Sequence, residues 1–240
     1  MLWDTGNSGT VLLHNLHRLK LDSLPLTAVA LSHAHYDHTG GLTEVLARHP
    51  GLTVYAHKTI FRARYARRDD AITAIGLASR REELVGKATF SLHRTPQEII
   101  PGVRTTGSIE PRPYPQGASR HHLMAQDGAL VPDGYLDDMS LVLKVPDGIV
   151  LLCGCCHAGL RNTLAVVRRQ YDDPLMAILG GTHLVRATEA ELAALSETLR
   201  AEGCPKLYLN HCTGERALRA LWKALGERVV PCPAGTTIAF

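Results

Sequence analysis

Short apolar strands alternate with helix-forming segments along this 240-residue chain, which predicts an α/β fold with sheets covered by helices. Three observations carry that expectation. Runs of aliphatic and β-branched residues recur, each bounded by Gly, Pro, Ser or Asp. Segments of helical period follow them in both halves. Pro146-Asp147-Gly148 joins two of the runs as a hairpin. No linker-like stretch interrupts the pattern, so residues 1–240 are expected to form one domain.

In order, Thr27 to Ser32 reads as a buried strand ending in a polar cluster, and Gly40 to Arg48 as a short helix stopped by Pro50 and Gly51. Leu52 to Ala56 is the next strand. Ile60 to Leu84 has helical tendency. Its Arg62, Arg64, Arg67, Arg68, Arg80 and Arg81 read as a solvated face, paired in part with Asp69, Asp70, Glu82 and Glu83. Residues 107–134, with Pro111, Pro113, Pro115 and Pro132, read as a long irregular loop, a type that often carries function. Ser140 to Val145 and Ile149 to Cys153 are the hairpin strands. Leu160 to about Tyr171 is a helix and Leu175 to Leu179 a strand. Thr188 and Glu191 form a capping box that opens a helix running to about Glu202. Lys206 to Leu209 is a strand, Glu215 to Leu225 a helix, and Thr236 to Phe240 a last strand.

Apolar residues at 45% and charged residues at 20% exclude a disordered chain. No apolar stretch approaches the ~18 residues of a membrane span. The chain does not open on a basic segment followed by an apolar one, so a cytoplasmic location is expected. A net charge of +3 is too small to point to nucleic acid. Cys153, Cys155 and Cys156 crowd one strand end where neighbours face opposite ways, so a disulfide framework is not expected.

Thirteen histidines, against three Phe, two Trp and seven Tyr, raise the question of metal binding. The decisive stretch is Ser32-His33-Ala34-His35-Tyr36-Asp37-His38-Thr39-Gly40-Gly41, just past a buried strand. Strand alternation puts His33 and His35 on one face, where they can clasp one ion. The turn beyond them lets Asp37 and His38 reach a second. Imidazole with carboxylate suits zinc, and also iron or manganese. A polar turn with chance histidines is the plainer alternative, and the density of the pattern argues against it.

This HxHxDH pattern resembles the metallo-β-lactamase superfamily. Leu2-Trp3-Asp4-Thr5-Gly6 resembles its first motif, an aspartate at a strand end that buttresses the metal loop. Thr105-Thr106-Gly107, Cys155-Cys156-His157-Ala158-Gly159, Gly180-Gly181-Thr182-His183-Leu184 and His211-Cys212-Thr213-Gly214 are similar to one subfamily. Its members are often named 7,8-dihydropterin-6-methyl-4-(β-D-ribofuranosyl)aminobenzene-5′-phosphate synthase, and many relatives only metallo-hydrolases. The resemblance implies a four-layer αβ/βα sandwich with the metal site at one edge. The superfamily usually places more strand before its first aspartate than the three residues here. The sandwich is therefore expected to lack its first strands, leaving a sheet edge open to a homodimer.

The resemblance also assigns further ligands. His211 stands where the superfamily has its last ligand, and His157 follows a strand at the same edge. Asp138, preferred over Asp137, stands where other branches place a ligand histidine; a strand-entry turn is the alternative. Cys155 can replace the bridging aspartate or cysteine of other members, or be buried packing. His183 is expected to bind metal or act as an acid toward substrate, against a structural role. His121 and His122 can reach a substrate from the long loop. His14, His17, His49 and His93 read as surface or packing residues, and His57, which ends a strand and can approach the site, reads first as structural.

Two divalent ions sharing a water lower its pKa from about 15.7 toward ~7, so hydroxide exists at neutral pH. Asp37, the motif's only carboxylate, is the expected catalytic partner of that water, with His183 as the second catalytic residue. No serine elbow or phosphate loop is present. The expected activity is metal-dependent hydrolysis of a small anionic molecule, phosphorylated or pterin-like. A thioesterase or lactonase of glyoxalase II type, a nuclease, and an inactive metal-binding remnant stand as alternatives.

Overall fold

The computed structural model describes residues 1–69 and 71–240. They fall into two compact units, Met1–Arg94 with Ala118–Asp137, and Thr95–Gly117 with Asp138–Phe240. In chain order the strands are β1 (Leu2–Trp3), β2 (Ala28–Ala30), β3 (Thr53–His57), β4 (Arg64–Arg68), β5 (Ala71–Ala74), β6 (Thr89–His93), β7 (Glu98–Ile100), β8 (Val103–Thr105), β9 (His122–Gln126), β10 (Ala129–Pro132), β11 (Ser140–Val145), β12 (Gly148–Cys153), β13 (Leu175–Gly180) and β14 (Lys206–Leu209). The α-helices are α1 (Gly9–Arg18), α2 (Tyr36–Thr39), α3 (Leu42–Arg48), α4 (Arg81–Val85), α5 (Leu160–Arg168), α6 (Glu189–Ala201) and α7 (Glu215–Leu225).

In the first unit β1, β2, β3 and β6 lie side by side in that order, all parallel. Val29, Leu31 and Val54 are buried against Leu42, Val45 and Leu46 of α3 and its approach. A parallel strand buried on both faces reads as a continuous apolar run, which is why β2 is visible in the sequence. The shared direction carries all four strand ends to one edge. Asp4 follows β1, the Ser32–His38 turn follows β2, Lys58 follows β3 and Arg94 follows β6. Ligands of open α/β sheets gather at such carboxyl ends.

A second sheet of this unit, ordered β10-β9-β4-β5, is antiparallel throughout and corrects two expectations. Ile60 to Leu84 is not a helix: it holds the β4–β5 hairpin, and only Arg81–Val85 is α-helical. Alanine and arginine favour helix locally, but pairing with the distant β9 overrides that preference. Nor are residues 107–134 irregular throughout, since they contain β9 and β10. The two are joined at Asp127-Gly128, both at positive φ (49° and 81°), an Asp-Gly hairpin turn that the surrounding prolines mask. Asp70, expected to pair with the arginines, lies outside the described residues.

The second unit holds one mixed sheet, ordered β14-β13-β12-β11-β8-β7. β12, β13 and β14 are parallel, and the remaining pairs antiparallel. Its core joins Leu151, Ile178 and Leu207 of the sheet to Leu164 of α5, Leu195 of α6 and Leu221 of α7. The capping box forms as expected: Glu191 N donates to Thr188 Oγ1, and Thr188 N donates to the Glu191 carboxylate. Thr236 to Phe240 is not a strand; these residues are largely exposed, with only Ile238 half-buried. Among the described residues no helix is long and apolar enough to cross a membrane.

Candidate metal centre

Beyond β2 the chain turns tightly under the loop that follows β1. A Cβ on Gly40 would fall 2.3 Å from the Asn7 carbonyl oxygen, and one on Gly41 2.4 Å from that of Thr5. Only glycine allows this approach, and it brings Asp4 against the histidines. Asp4, held at φ 57°, accepts hydrogen bonds from Ser32 N, Ser32 Oγ and His38 Nδ1, each at 2.7 Å. The Ser32 hydroxyl spends its one O–H in the hydrogen bond to Asp4, so it accepts from His33 Nδ1 at 2.9 Å. Both rings are therefore fixed from behind in the tautomer that leaves Nε2 for an ion.

The rings of His33 and His35 lie 4.6 Å apart between centroids, and those of His33 and His38 4.2 Å. His33 Nε2 and His35 Nδ1 are 3.0 Å from each other, a span one ion can bridge with bonds of about 2.0–2.1 Å. Burial, then the nearby His122, pushes His35 down to about 3. It is neutral at pH 7, as a ligand must be. Asp37 is partly exposed, with Oδ2 3.6 Å from His38 Nε2. Three buried imidazoles and one carboxylate fit a divalent ion of the zinc type.

Behind this turn lies a buried ion cluster. Arg64 is not on a solvated face but 1% exposed. It reaches Asp133 Oδ2 through Nε at 3.1 Å and Asp137 Oδ1 through Nη2 at 2.6 Å. Asp137 Oδ2 accepts the amide of Ala34 at 2.8 Å. Asp137 thus commits one oxygen to Arg64 and the other to the amide between His33 and His35. His35 also meets His122 edge-on at 5.2 Å and Tyr135 at 5.9 Å. The Tyr135 hydroxyl accepts Ser119 N at 3.0 Å and lies 2.9 Å from His122 Nδ1. His122 therefore stands beside the metal turn, whereas His121 accepts a bond from Arg120.

In the second unit the parallel strands β12, β13 and β14 also end at one edge. His157 follows β12, His183 follows β13 and His211 follows β14. His157 is buried and donates from Nδ1 to the Gly117 carbonyl at 2.8 Å, which orients Nε2 as the ligand nitrogen. Asp138 Oδ2 accepts the Ala158 amide at 2.8 Å and so fixes the loop beside His157. The His183 ring lies 4.3 Å from that of His157. Cys155, His183 and Cys212 bring ligand atoms within 4.8 Å of one another, and His183 N donates to Cys212 Sγ at 3.3 Å. Hydrogen bonds from Cys155 and His183 hold the Cys212 thiol well below its ordinary range. A hydrogen bond with Cys153 and full burial push Cys156 the other way.

Cys156, His183 and His211 sit at φ 57°, 47° and 51°, conformations non-glycine residues keep only where their surroundings impose them. A Cβ on Gly181 would meet the Gly154 carbonyl oxygen at 2.6 Å and Cys212 Sγ at 2.8 Å. The expected residues thus fall into two sets: His33, His35, Asp37 and His38 in the first unit, and Asp138, His157, His183 and His211 in the second. Arg64, Asp133, Tyr135 and Cys212 escape a reading of the sequence. For each of them only the fold brings the partners together.

A family model described as the Metallo-beta-lactamase superfamily matches residues 1–157. The chain belongs to this superfamily. It is 26% identical over its whole length to a 7,8-dihydropterin-6-methyl-4-(beta-D-ribofuranosyl)-aminobenzene-5'-phosphate synthase of Methanocaldococcus jannaschii, covering 84% of that protein. An uncharacterized protein of the same organism is 30% identical over 92% of this chain and 82% of its own. The crystal structure of Tm1679, described as a metal-dependent hydrolase of the beta-lactamase superfamily, superposes with a TM-score of 0.86 at 24% identity, covering 100% of this chain and 88% of that one. This likeness shows the fold, the metallo-β-lactamase sandwich. Fold and relatives together point to an enzyme of a superfamily whose members bind divalent metals.

Proposed function

We propose that the chain is a metal-dependent hydrolase acting on a small anionic substrate, phosphorylated or pterin-like. One observation carries the reading. His33 and His38 both present Nε2, with Nδ1 anchored through Ser32 and Asp4, an arrangement metal ligands require and packing histidines do not. His33, His35, Asp37 and His38 would hold divalent ions, zinc first among them. Asp138, His157 and His211 are assigned to complete the set of two ions on the strength of the superfamily pattern. When bound, such ions supply Lewis acidity and an acidified water. The chain's own residues do the rest. Asp37 accepts a hydrogen bond from the attacking water, and His183 delivers a proton to the leaving group. Asp4, Ser32 and Asp137 keep the histidine turn from relaxing.

Full-length similarity to a named synthase favours a second reading, in which the same centre serves a condensation on a dihydropterin. The test is a panel of phosphodiesters, phosphomonoesters, thioesters and lactones after chelation and re-addition of zinc, manganese or iron. A dihydropterin with an aminobenzene ribose phosphate is assayed in parallel. Metal-restored hydrolysis of a phosphate ester is the expected result. Turnover only of the pterin pair transfers the assignment to the second reading. Thioester turnover alone points to a glyoxalase II-type activity, and no turnover with no bound metal leaves a remnant.

A further inference from the structure

The carboxyl edge of the parallel sheet carries a second feature that the metal chemistry does not use. At the ends of β3 and β6, Lys58, Arg62, Arg81 and Arg94 line an open groove of about 420 Å3, with Phe61 and Leu92 among its apolar walls. The register sets two of the cations side by side. His57 pairs with His93, and Lys58 N donates to His93 O at 3.1 Å, so Lys58 and Arg94 leave adjacent strands together. Like charges at such positions repel.

Among the described residues no carboxylate lines the groove. Among the described residues none of the four cations has an ion-pair partner, while Arg80, Arg168, Arg200 and Arg219 each pair with a glutamate. Arg81 lies over the Phe61 ring at 5.7 Å, and Arg62 turns to Met124 Sδ at 3.9 Å. Four uncompensated cations in a concave site hold a repulsion that an anion relieves. Guanidinium forks match the oxygens of a phosphate, and the volume leaves room for a sugar-sized body beside it. Since β3 is the neighbour of β2 in the sheet, the groove begins about 5–10 Å along the edge from the histidine turn.

We propose that this groove binds the phosphate of a small phosphomonoester. The assignment of that phosphate as the far end of the substrate rests on the metal-hydrolase reading; the binding itself does not. The experiment is calorimetric titration of ribose 5-phosphate and of ribose into the full chain, both as prepared and after chelation, at low and high salt. Ribose 5-phosphate should bind in both preparations, more weakly at high salt, and ribose should not. Lys58→Ala with Arg94→Ala should lower the affinity about tenfold or more without changing metal content or the melting profile. Arg81→Ala should act in the same direction, and serves if the double variant does not fold. Unchanged affinity in these variants, or equal binding of ribose, overturns the proposal. Tighter binding of a single-stranded oligonucleotide than of the sugar phosphate also overturns it, in favour of nucleic acid. Phosphate binding that is lost in the variants supports the groove even if no metal-dependent turnover is found, which would sink the hydrolase reading alone.

Discussion

In the first unit the histidines that follow β2 are held from behind by ionisable groups. Asp4 fixes His38, Ser32 carries the same carboxylate's influence to His33, and the Arg64–Asp137 pair grips the peptide between His33 and His35. In the second unit the holding groups are mostly backbone. Gly117 O orients His157, left-handed residues set the directions of His183 and His211, and Gly181 lets the loops meet. The flanking chemistry differs too, with carboxylate beside imidazole in one and thiols beside imidazole in the other. Sites of similar topology can therefore be rigid for different reasons. The first should fail when charge is removed, and the second when volume is added.

The largest effect should come from Asp37, whose carboxylate, in the hydrolase proposed above, would serve both the second ion and the attacking water. Asp37→Ala should abolish turnover, and metal analysis should fall from about two ions per chain to about one, with His33 and His35 keeping theirs. Full activity in that variant would rule out the mechanism. Asp37 is only partly buried, so its loss should leave the melting temperature almost unchanged and separate chemistry from folding.

The contrast between the units is sharpest between Arg64→Met and Gly181→Ala. Removing Arg64 leaves Asp133 and Asp137 buried without their cation, and breaking one side of a buried pair costs about 3–5 kcal/mol. Asp133 already has its carboxyl pushed up by burial, with Arg64 opposing the shift. In the variant Asp133, no longer opposed by Arg64, should take up a proton more readily, so the deficit should shrink as pH falls from 7 to 5. Gly181→Ala should cost about 1–3 kcal/mol through overpacking, and that cost should not depend on pH. Denaturant titrations at the two pH values distinguish them. Equal pH dependence would mean the supposed difference between the units is absent.

What the sequence makes legible follows the same line. The donors of the histidine turn are contiguous, and the Thr188–Glu191 box and the Glu215–Leu225 helix depend on neighbours three or four residues away. Each is written in one local stretch. Arg64 depends on Asp133 and Asp137, far along the chain, and sits among arginines that are exposed as expected. Nothing local tells it apart. The β4–β5 hairpin is hidden for the same reason, because β9 supplies the pairing that defeats local helix preference. The preference for Asp138 over Asp137 shows the limit well. Both are buried acids before one strand, but Asp137 turns to Arg64 and Ala34, and Asp138 to the loop of His157.

A smaller effect concerns pH and the first unit alone. His35 titrates near 3 in the folded chain against 6.5 for an ordinary histidine. Above about 6.5 both folded and unfolded chains carry it neutral, and nothing is lost. Below that value the unfolded chain takes up a proton that the folded chain refuses, so metal-free stability should decline by up to about 1.4 kcal/mol per pH unit. His35→Gln should flatten that slope in chemical denaturation of the chelated protein; a slope unchanged by the substitution would place its origin elsewhere.

The smallest effect on stability should be the clearest chemical label of the second unit. Cys212 is partly exposed and acidic, because Cys155 and His183 hydrogen-bond its sulfur. Cys156 is fully buried, and its thiol is raised by Cys153. Thiolate, not thiol, attacks an alkylating reagent. In metal-free protein at pH 6, iodoacetamide should therefore modify Cys212 well before Cys156, as read by mass spectrometry of the digested chain. Cys212→Ser should remove that early label and cost little stability, since the hydroxyl can still accept the His183 amide. Zinc added before the reagent should slow Cys212 if its sulfur faces a bound ion, a response the carboxylate-held first unit has no thiol to give. Labelling of Cys156 at the same rate as Cys212 would show that the acidity of the second unit's thiols does not follow from the hydrogen bonds around them.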